Sequence, residues 1–298
     1  MTDRVSFLGL GAMGWNMSAR LAKAGFNVTV YNRNPTKAEA WIAEHGGTLA
    51  HTPAEAAEGA GLVLSCVGAD DDVIEITVGP NGAFSTMPTG SIFIDHTTIS
   101  PTTVQSLAVD AANAGIEFLD APVSGGPKGA INGILTIMLG GPKAAIETAR
   151  PALESYGAEI RRMGNVGAGQ STKVISQICV AGLLQSLCEG MYMAERSGLD
   201  IDEVVSILSK GAAGSWMMNN QSATIKAGTY DHGFAVDWMR KDLGICLSEA
   251  RKLKVDLPVT ALVDQFLGDV QDIGGGRWDI SSLMARLRHF DSSKAIDL

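Results

Sequence analysis

Cysteine and histidine are scarce in this chain, whose 298 residues include only four cysteines and five histidines. The cysteines are far apart and form no CxxC pair, at Cys66, Cys179, Cys188 and Cys246. Paired or clustered cysteines are the usual sign of a zinc site or of a disulfide framework. The sequence therefore predicts neither of these, and we expect no bound metal.

The chain also lacks an excess of positive charge. It has 23 Lys and Arg residues against 32 Asp and Glu residues, which gives a formal net charge of −9. A protein that binds nucleic acid neutralises phosphates with clustered basic residues. The scattered acidic surplus therefore argues against nucleic acid as a partner.

Long uninterrupted hydrophobic runs are missing too. A membrane-spanning helix needs about 18 or more predominantly apolar residues, and the apolar segment 175–187 is interrupted by Gln177, Gln185 and Ser186. The first apolar run, 5–8, is not preceded by the basic and apolar regions of an export signal. We therefore expect a cytoplasmic protein with no membrane partner.

Short apolar runs alternate with segments of helical periodicity through the first half of the chain. The runs are 5–8, 28–31, 62–67, 91–94 and 117–119. Alternation of this kind predicts a parallel sheet covered by helices. Two later runs, 134–139 and 159–163, are expected to continue the same sheet.

From about residue 169 the pattern changes to long helical segments with few candidate strands. The first of these runs from about residue 170 to 197 and ends at Gly198, a residue typical of helix C-termini. It is about twice as long as an average helix. We place the domain boundary at its start, with an α/β domain over 1–168 and an all-α domain over 169–298.

Three glycines occur directly after the first apolar run. The segment consists of Gly9, Leu10, Gly11, Ala12, Met13 and Gly14, and a helical pattern follows it. Glycines at this spacing allow a tight turn, a close approach of the backbone to a pyrophosphate, and close packing of helix on strand. The N–H groups at the helix start then face the phosphates. This context predicts a dinucleotide site in a Rossmann-type domain.

The second apolar run is followed by Asn32, Arg33 and Asn34. An NAD site usually has an acidic residue here for the ribose hydroxyls, and none is present. Arg33, with Asn32 and Lys37, can instead bind a 2′-phosphate through charge-assisted hydrogen bonds. We therefore predict NADP (NADPH) in preference to NAD. The alternative is that Arg33 and Lys37 are ordinary solvated charges at a helix start.

Two later strand ends supply further candidate cofactor contacts. Ligands of open parallel sheets bind beyond the carboxyl ends of the strands. The residues at these ends are Val67 and Gly68 after the third run, and Thr98 after the fourth. Their backbone and hydroxyl groups are expected to reach the ribose or the nicotinamide, although a threonine after a strand is also common in ordinary turns.

A second glycine-rich turn follows the fifth apolar run. The N–H groups of Gly125 and Gly126 and the hydroxyl of Ser124 can converge on an anion, which predicts a carboxylate site, although such a segment is also found in ordinary turns. Lys173 and Gln177 are four residues apart on the long helix and therefore share one face. A charged lysine beside an amide suits the carbonyl oxygen of a substrate.

Four motifs occur in the order and spacing of one known family. They are GLGAMG near the start, DAPVSGG followed by GAINGILTIMLGG, GAGQSTKVISQ, and KDLGICLSEA. With these motifs the chain resembles, over nearly its whole length, the β-hydroxyacid dehydrogenases. This family includes 3-hydroxyisobutyrate dehydrogenase, tartronate semialdehyde reductase and the succinic and glyoxylic semialdehyde reductases. The resemblance implies a Rossmann-type N-terminal domain, an all-helical C-terminal domain, an active site between them, and a homodimer or homotetramer.

The resemblance also implies a reaction and roles for individual residues. The reaction is hydride transfer between NADPH and a small semialdehyde or 3-hydroxy acid. The family's catalytic lysine falls on Lys173, and Lys241 of the KDLG motif would approach both the nicotinamide and the substrate. The residues that would bind the small carboxylate-bearing substrate are Ser124, Gly125, Gly126, Gln177 and Lys241.

One position departs from the family pattern. The usual pattern after the lysine is close to KxxNN or KxxNQ, whereas here Ser176 replaces the more typical asparagine before Gln177. The resemblance therefore does not carry over substrate identity. Two alternatives stay open, an imine reductase-like enzyme and a non-catalytic NADP-binding protein. Lys173 counts against the first, because imine reductases often replace it, and the complete set of polar site residues counts against the second.

Overall fold

The computed structural model describes residues 4–291. The chain divides into two compact units, one up to Lys173 and one from Val174 onward. The sequence predicts the boundary five residues earlier, at the start of the long helix. The division falls later because the first turn of that helix, which begins at Ala168, is hydrogen-bonded to the first unit.

One sheet runs through the first unit. Within residues 4–291 its strands are β1 (Arg4–Leu8), β2 (Asn27–Tyr31), β3 (Thr48–Leu49), β4 (Leu62–Ser65), β5 (Ile92–Asp95), β6 (Glu117–Asp120), β7 (Val123–Ser124), β8 (Leu135–Gly140) and β9 (Gly157–Gly164). Their order is β3-β2-β1-β4-β5-β6-β8-β7, with β9 paired to β8. Strands β1 to β6 pair in parallel. This is the order of a doubly wound dinucleotide-binding domain, so the predicted α/β fold is confirmed.

The parallel strands are buried on both faces of the sheet. All four residues of β4 and all four of β5 are buried. Neighbouring residues of β5 belong to different cores, because Ile92 and Ile94 pack with Phe7, whereas Phe93 packs with Phe118. Uninterrupted apolar runs are typical of such sheets, since helices cover both faces.

The two later apolar runs continue the same sheet, as the sequence predicts, but one of them enters it antiparallel. Strand β8 pairs antiparallel with β6, at Asp120 and Gly140, and antiparallel with β7. The connection between β6 and β8 contains the two-residue strand β7 and the seven-residue helix Gly126–Asn132. Strand β7 pairs with β8, Val123 opposite Ile137 and Ser124 opposite Thr136, so β8 runs back along the segment that directly follows β6.

Three of the seven helices that the structure describes in the first unit begin with a side-chain cap. The seven helices are α1 (Gly14–Lys23), α2 (Pro35–His45), α3 (Pro53–Ala57), α4 (Asp70–Val78), α5 (Pro101–Asn113), α6 (Gly126–Asn132) and α7 (Lys143–Leu153). The side chains of Asn34, Thr52 and Ser100 each accept an N–H group of the following first turn, and proline is the next residue in all three cases. This combination fixes the helix start, because the cap satisfies an unpaired donor and proline has none to satisfy.

The second unit is helical in the part of the chain that the structure describes. Its helices are the remainder of α8 (Ala168–Arg196), then α9 (Ile201–Leu208), α10 (Trp216–Ala227), α11 (Val236–Leu253), α12 (Pro258–Asp272) and α13 (Leu283–His289). Leu184 and Cys188 of α8 pack with Leu243 of α11 and Val263 and Leu267 of α12 in one core. The predicted all-α domain is therefore confirmed.

Helix α8 agrees with its prediction to within two residues at each end. Among the described residues it is the one helix long and apolar enough to cross a membrane by length and composition. However, 44% of its most apolar window is buried inside the protein. A core helix meets the same criteria, and Leu184 and Cys188 lie in the core.

Candidate active site

The glycine-rich turn between β1 and α1 has the tight geometry that its sequence predicts. Gly9 adopts φ +96°, and its N–H donates to the Tyr31 carbonyl at 2.8 Å. A Cβ on Gly14 would overlap the Gly9 carbonyl oxygen and approach the Phe7 ring. These two glycines therefore bring the start of α1 against β1.

The same turn has room for a cofactor. A Cβ on Gly11 would meet no atom within 4 Å. Helix α1 begins at Gly14 with no side-chain cap on its first-turn N–H groups and no acidic residue there. The positive end of a helix dipole attracts phosphate. The open backbone at Gly11 and the uncapped start of α1 therefore fit the pyrophosphate of a dinucleotide.

The side chains of Asn32 and Asn34 shape the loop after β2. The Asn32 Oδ1 atom accepts the Leu10 N–H at 2.8 Å, and its Nδ2 donates to the Asn34 carbonyl at 3.0 Å. The Asn34 Oδ1 atom accepts the Thr36 N–H at 3.1 Å. Asn32 thus connects this loop to the glycine-rich turn. A direct contact of either amide with the cofactor stays a prediction.

Arg33 and Lys37 are both exposed beside the end of β2. The Arg33 side chain is 87% exposed, and its Nη1 lies 2.9 Å from Oδ1 of Asp72 in the first turn of α4. The arginine on which the NADP prediction depends is therefore already paired with a carboxylate. A single exposed ion pair contributes little to stability, so a phosphate can compete for the guanidinium.

The predicted residues after β4 and β5 follow the carboxyl ends of adjacent parallel strands, beside β1 and β2. The Val67 N–H donates to the Thr97 hydroxyl at 3.0 Å, and that hydroxyl donates to Oδ1 of Asp95 at 2.7 Å. Gly68 and Thr98 flank this chain of bonds in sequence. The structure therefore gathers the predicted cofactor residues of the first unit at one edge of the sheet.

Two ionisable residues are fully buried beneath that edge. Burial raises the pKa of Asp95 to about 6, although the Thr97 and Ser65 donors oppose the rise. Burial lowers the pKa of His96 to about 4. The His96 Nδ1 lies 2.6 Å from the Ala121 carbonyl oxygen and its Nε2 lies 2.9 Å from the Tyr156 hydroxyl. With both ring nitrogens bonded inside the protein, His96 is a structural residue.

The predicted carboxylate turn and the predicted catalytic lysine lie close together in the first unit. Gly125 and Gly126 adopt φ values of +126° and +62° at the end of β7. The Lys173 Nζ donates to the Val123 carbonyl at 3.0 Å, on the residue that precedes Ser124. Lys173 is buried. A cation is therefore held beside the backbone that the sequence assigns to the substrate carboxylate.

Gln177 and Lys241 are connected through one carboxylate in the second unit. The Gln177 Nε2 donates to Oδ2 of Asp242 at 2.7 Å and lies 3.6 Å from the Met239 sulfur. The Lys241 Nζ lies 3.1 Å from Oδ1 of Asp242. Asp242 is buried, so it orients both side chains. The Gln177 amide N–H groups are directed to Asp242 and Met239, and a contact of Gln177 or Lys241 with the substrate stays a prediction.

Sequence reasoning missed the buried residues that hold these groups in place. Asp95 and Asp120 are the last residues of β5 and β6, and Gln170 lies in the first turn of α8. A polar residue that directly follows an apolar parallel run is a usable signal, because its side chain points to the ligand edge. The partner that each of them binds is distant in sequence, so the signal does not reveal it.

Among residues 4–291 no group of three or more His, Cys, Asp or Glu side chains is placed to hold a metal ion.

The comparisons with known proteins cover both units. Residues 4–164 match the NAD binding domain of 6-phosphogluconate dehydrogenase. Residues 167–287 match the model described as NAD-binding of NADP-dependent 3-hydroxyisobutyrate dehydrogenase.

The chain belongs to the 3-hydroxyisobutyrate dehydrogenase family. It is 35% identical to the 3-hydroxyisobutyrate dehydrogenase of Pseudomonas aeruginosa, over 88% of this chain and 90% of that protein. It is 50% identical to an uncharacterised oxidoreductase of Shewanella frigidimarina, over 95% and 98%. The resemblance seen in the sequence is confirmed, and the chain is an NAD(P)-dependent hydroxy-acid dehydrogenase.

Solved structures of the 3-hydroxyisobutyrate dehydrogenase family share the fold. The Mycobacterium tuberculosis 3-hydroxyisobutyrate dehydrogenase, solved with L-serine, superposes with a TM-score of 0.86 at 28% identity, over 97% of this chain and all of that one. An imine reductase from Pseudomonas sp. superposes with a TM-score of 0.63 at 22% identity, over 95% and 99%. That second likeness concerns the fold alone and does not favour the imine reductase alternative.

Proposed function

We propose that this enzyme uses NADP to interconvert a small semialdehyde and the corresponding 3-hydroxy acid, with Lys173 as the proton donor and acceptor. One observation carries the proposal. The buried Lys173 ammonium is 3.0 Å from the carbonyl of Val123, directly before the Ser124, Gly125 and Gly126 turn. A lysine in this position is beside the expected carboxylate, where it can also reach an oxygen on a neighbouring substrate carbon.

The substrate class follows from the two kinds of group near Lys173. The Ser124 hydroxyl and the N–H groups of Gly125 and Gly126 are donors, so they favour a carboxylate over a neutral end group. Lys173 adds a positive charge, which stabilises negative charge that develops on a substrate oxygen. The family relative from Pseudomonas aeruginosa is named for a 3-hydroxy acid of this kind.

The proton steps are assigned to this chain's own side chains. When bound, the nicotinamide ring supplies or accepts the hydride. In the reducing direction Lys173 stabilises the developing alkoxide and gives it a proton, and in the oxidising direction it takes the proton back. Its bond to the Val123 carbonyl orients Nζ.

The preference for NADP depends on the loop after β2. Arg33 and Lys37 are exposed cations there, and the residues directly after β2 include no carboxylate. A guanidinium binds a phosphate through two parallel hydrogen bonds, which a ribose hydroxyl cannot match. NADP is therefore favoured, and Asp72 modulates the preference through its ion pair with Arg33.

The proposal is tested with one panel of substrates. Oxidation of NADPH and NADH is followed at the reduced-nicotinamide absorbance band with succinic, glyoxylic, tartronate and methylmalonate semialdehydes. The reverse reaction is run with 3-hydroxyisobutyrate, glycerate, serine and threonate. We expect turnover with at least one pair, faster with NADPH, and a loss of about 10²- to 10⁴-fold in kcat/KM for Lys173→Met.

A lysine elsewhere in the first unit provides the control. Lys143 is exposed at the start of α7, so Lys143→Met removes the same charge without touching the site. It should retain wild-type rates. Tight NADPH binding with no turnover of any acid would reject the semialdehyde assignment, and cyclic imines are then the substrates to test. Full activity in Lys173→Met would reject the assigned proton donor.

A further inference from the structure

The carboxylate of Asp120 joins the end of one strand to the start of the helix that carries Lys173. Asp120 is the last residue of β6 and is fully buried. Its Oδ1 accepts the Gly167 N–H at 2.7 Å, and its Oδ2 accepts the Gln170 N–H at 2.8 Å. A negative charge at a helix N-terminus is favourable, and each bond satisfies a donor that the helix itself leaves unpaired.

The side chain of Gln170 makes a second connection from the same helical turn. Its Nε2 donates to the Thr97 carbonyl at 2.5 Å, and its Oε1 accepts the Ile99 N–H at 3.3 Å. Gln170 is fully buried. The first turn of α8 is therefore bonded to the residues that follow β5 as well as to the end of β6.

Two glycines leave no free space around the Asp120 carboxylate. A Cβ on Gly140 of β8 would overlap Asp120 Oδ1. A Cβ on Gly169 would lie 2.8 Å from Asp120 Oδ2 and would also collide with the Met138 carbonyl oxygen. The Asp120 carboxylate is therefore packed closely against β8 and against the first turn of α8.

We propose that Asp120 is a positioning residue that fixes the Lys173 ammonium against the substrate turn. Lys173 follows Gln170 by three residues, one helical turn along α8. Val123, which accepts the Lys173 bond, follows Asp120 by three residues along the chain. The Asp120 carboxylate therefore bonds the start of α8, which carries Lys173, to the end of β6, which leads to the Val123 carbonyl that Lys173 contacts. The inference rests on the proposed role of Lys173.

The test uses two matched variants, Asp120→Asn and Asp279→Asn. Asp279 is also fully buried and also accepts two backbone N–H groups, from Phe234 at 2.8 Å and Ser281 at 3.0 Å. It belongs to the second unit, and within residues 4–291 none of its hydrogen bonds involves α8. In both variants an amide nitrogen replaces one acceptor oxygen opposite a backbone donor, so the chemical damage is comparable.

Two readouts separate positioning from general destabilisation. Asp120→Asn should lower kcat about 10- to 100-fold while the NADPH dissociation constant changes little, because a small displacement of a reacting group costs about this much. Hydrogen exchange, measured on peptides over 164–177, should accelerate in Asp120→Asn but not in Asp279→Asn. Wild-type kcat in Asp120→Asn, or an equal loss of kcat in both variants, would overturn the proposal.

A second variant and a third readout cover the remaining outcomes. If Asp120→Asn does not fold, Gln170→Met removes the other connection and should lower kcat in the same way, by a smaller factor.

If the wild-type enzyme has no turnover with the panel, the proposed function fails, but the positioning claim is still tested by a readout that needs no turnover. Reductive methylation of Lys173, scored on its peptide by mass, should then be faster in Asp120→Asn than in Asp279→Asn. Equal methylation rates would reject the claim.

Discussion

The ligand edge of the first unit has two ends that are built differently. At the end formed by the loop after β2, which we call the adenosine end, Arg33 is exposed and its ion pair is with Asp72. At the end formed by the residues after β5 and β6, which we call the buried end, Asp95, Asp120 and Gln170 are fully buried and each makes several hydrogen bonds.

The contacts at the two ends differ in their contribution to the free energy of unfolding as well as in their exposure. An exposed ion pair contributes about 0–1 kcal/mol, whereas removing one partner of a buried hydrogen bond costs about 1–3 kcal/mol. Substitutions at the adenosine end should therefore change cofactor choice without unfolding the enzyme. Substitutions at the buried end should change stability and catalysis together.

The glycine-rich turn contains one closely packed position, Gly14, and one open position, Gly11. Substituting Gly14 gives the largest expected effect on stability. Gly14→Ala should destabilise the fold by about 1–3 kcal/mol or more, because its Cβ would overlap the Gly9 carbonyl oxygen. Gly11→Ala should leave the melting temperature unchanged, since its Cβ meets nothing within 4 Å. It should instead weaken NADPH binding, because the backbone must approach the pyrophosphate closely.

Thermal unfolding and NADPH titration of both variants test this contrast. A Gly11→Ala variant that melts below Gly14→Ala would contradict the packing described for the turn. Wild-type NADPH affinity in Gly11→Ala would show instead that the phosphates lie elsewhere.

The next effect concerns the pH dependence of stability at the buried end. The pKa of Asp95 is raised from 3.8 to about 6, so between about pH 4 and 6 it is protonated in the fold and ionised when unfolded. Its contribution to the unfolding free energy falls as pH rises, by about 1.4 kcal/mol per pH unit. The pKa of His96 is lowered from 6.5 to about 4, so over nearly the same range it is neutral in the fold and protonated when unfolded. Its contribution rises with pH at the same rate, and the two cancel.

Single substitutions should reveal the two opposing pH dependences of the unfolding free energy. Relative to wild type, the unfolding free energy of Asp95→Asn should rise with pH by about 1.4 kcal/mol per unit between pH 4 and 6, and that of His96→Gln should fall by as much. Urea unfolding at three pH values within this range measures both, and all other titrating groups cancel in the comparison with wild type. Parallel curves for the variants and the wild type would show that neither residue titrates as described.

The two ends also differ in how much of them the sequence predicts. The glycine-rich turn and Arg33 are recognisable because local spacing alone determines their chemistry. Lys173 is recognisable through a motif of a known family. The bonds of Asp120 to α8 cannot be recognised in the sequence, because the partners are about fifty residues apart and meet only when the sheet has formed. The antiparallel placement of β8 escapes prediction for a similar reason, since it depends on the pairing of β8 with β6 and β7, which forms only in the folded sheet.

At the adenosine end the larger expected effect is that of Arg33→Asp. Charge-assisted hydrogen bonds contribute about 1.5–3 kcal/mol, so NADPH binding should weaken about 10- to 100-fold. NADH binding should change little. Arg161→Asp is the matched control, because Arg161 is also exposed and paired with one carboxylate, on Glu159. Dissociation constants from nucleotide fluorescence measure both variants, and equal losses for NADPH and NADH would remove the basis of the NADP preference.

The smallest expected effect is that of Asp72→Asn, and it has the opposite sign. The Asp72 carboxylate occupies part of the Arg33 guanidinium and repels a phosphate that approaches it. Its removal should tighten NADPH binding by no more than about fivefold, in line with the energy of an exposed ion pair, and leave NADH binding unchanged. Asp71→Asn removes the same charge from the same helical turn without removing this pair. Equal gains in the two variants would assign the effect to the general field of α4, whereas weaker NADPH binding in Asp72→Asn alone would mean that the pair holds Arg33 in its phosphate-binding position.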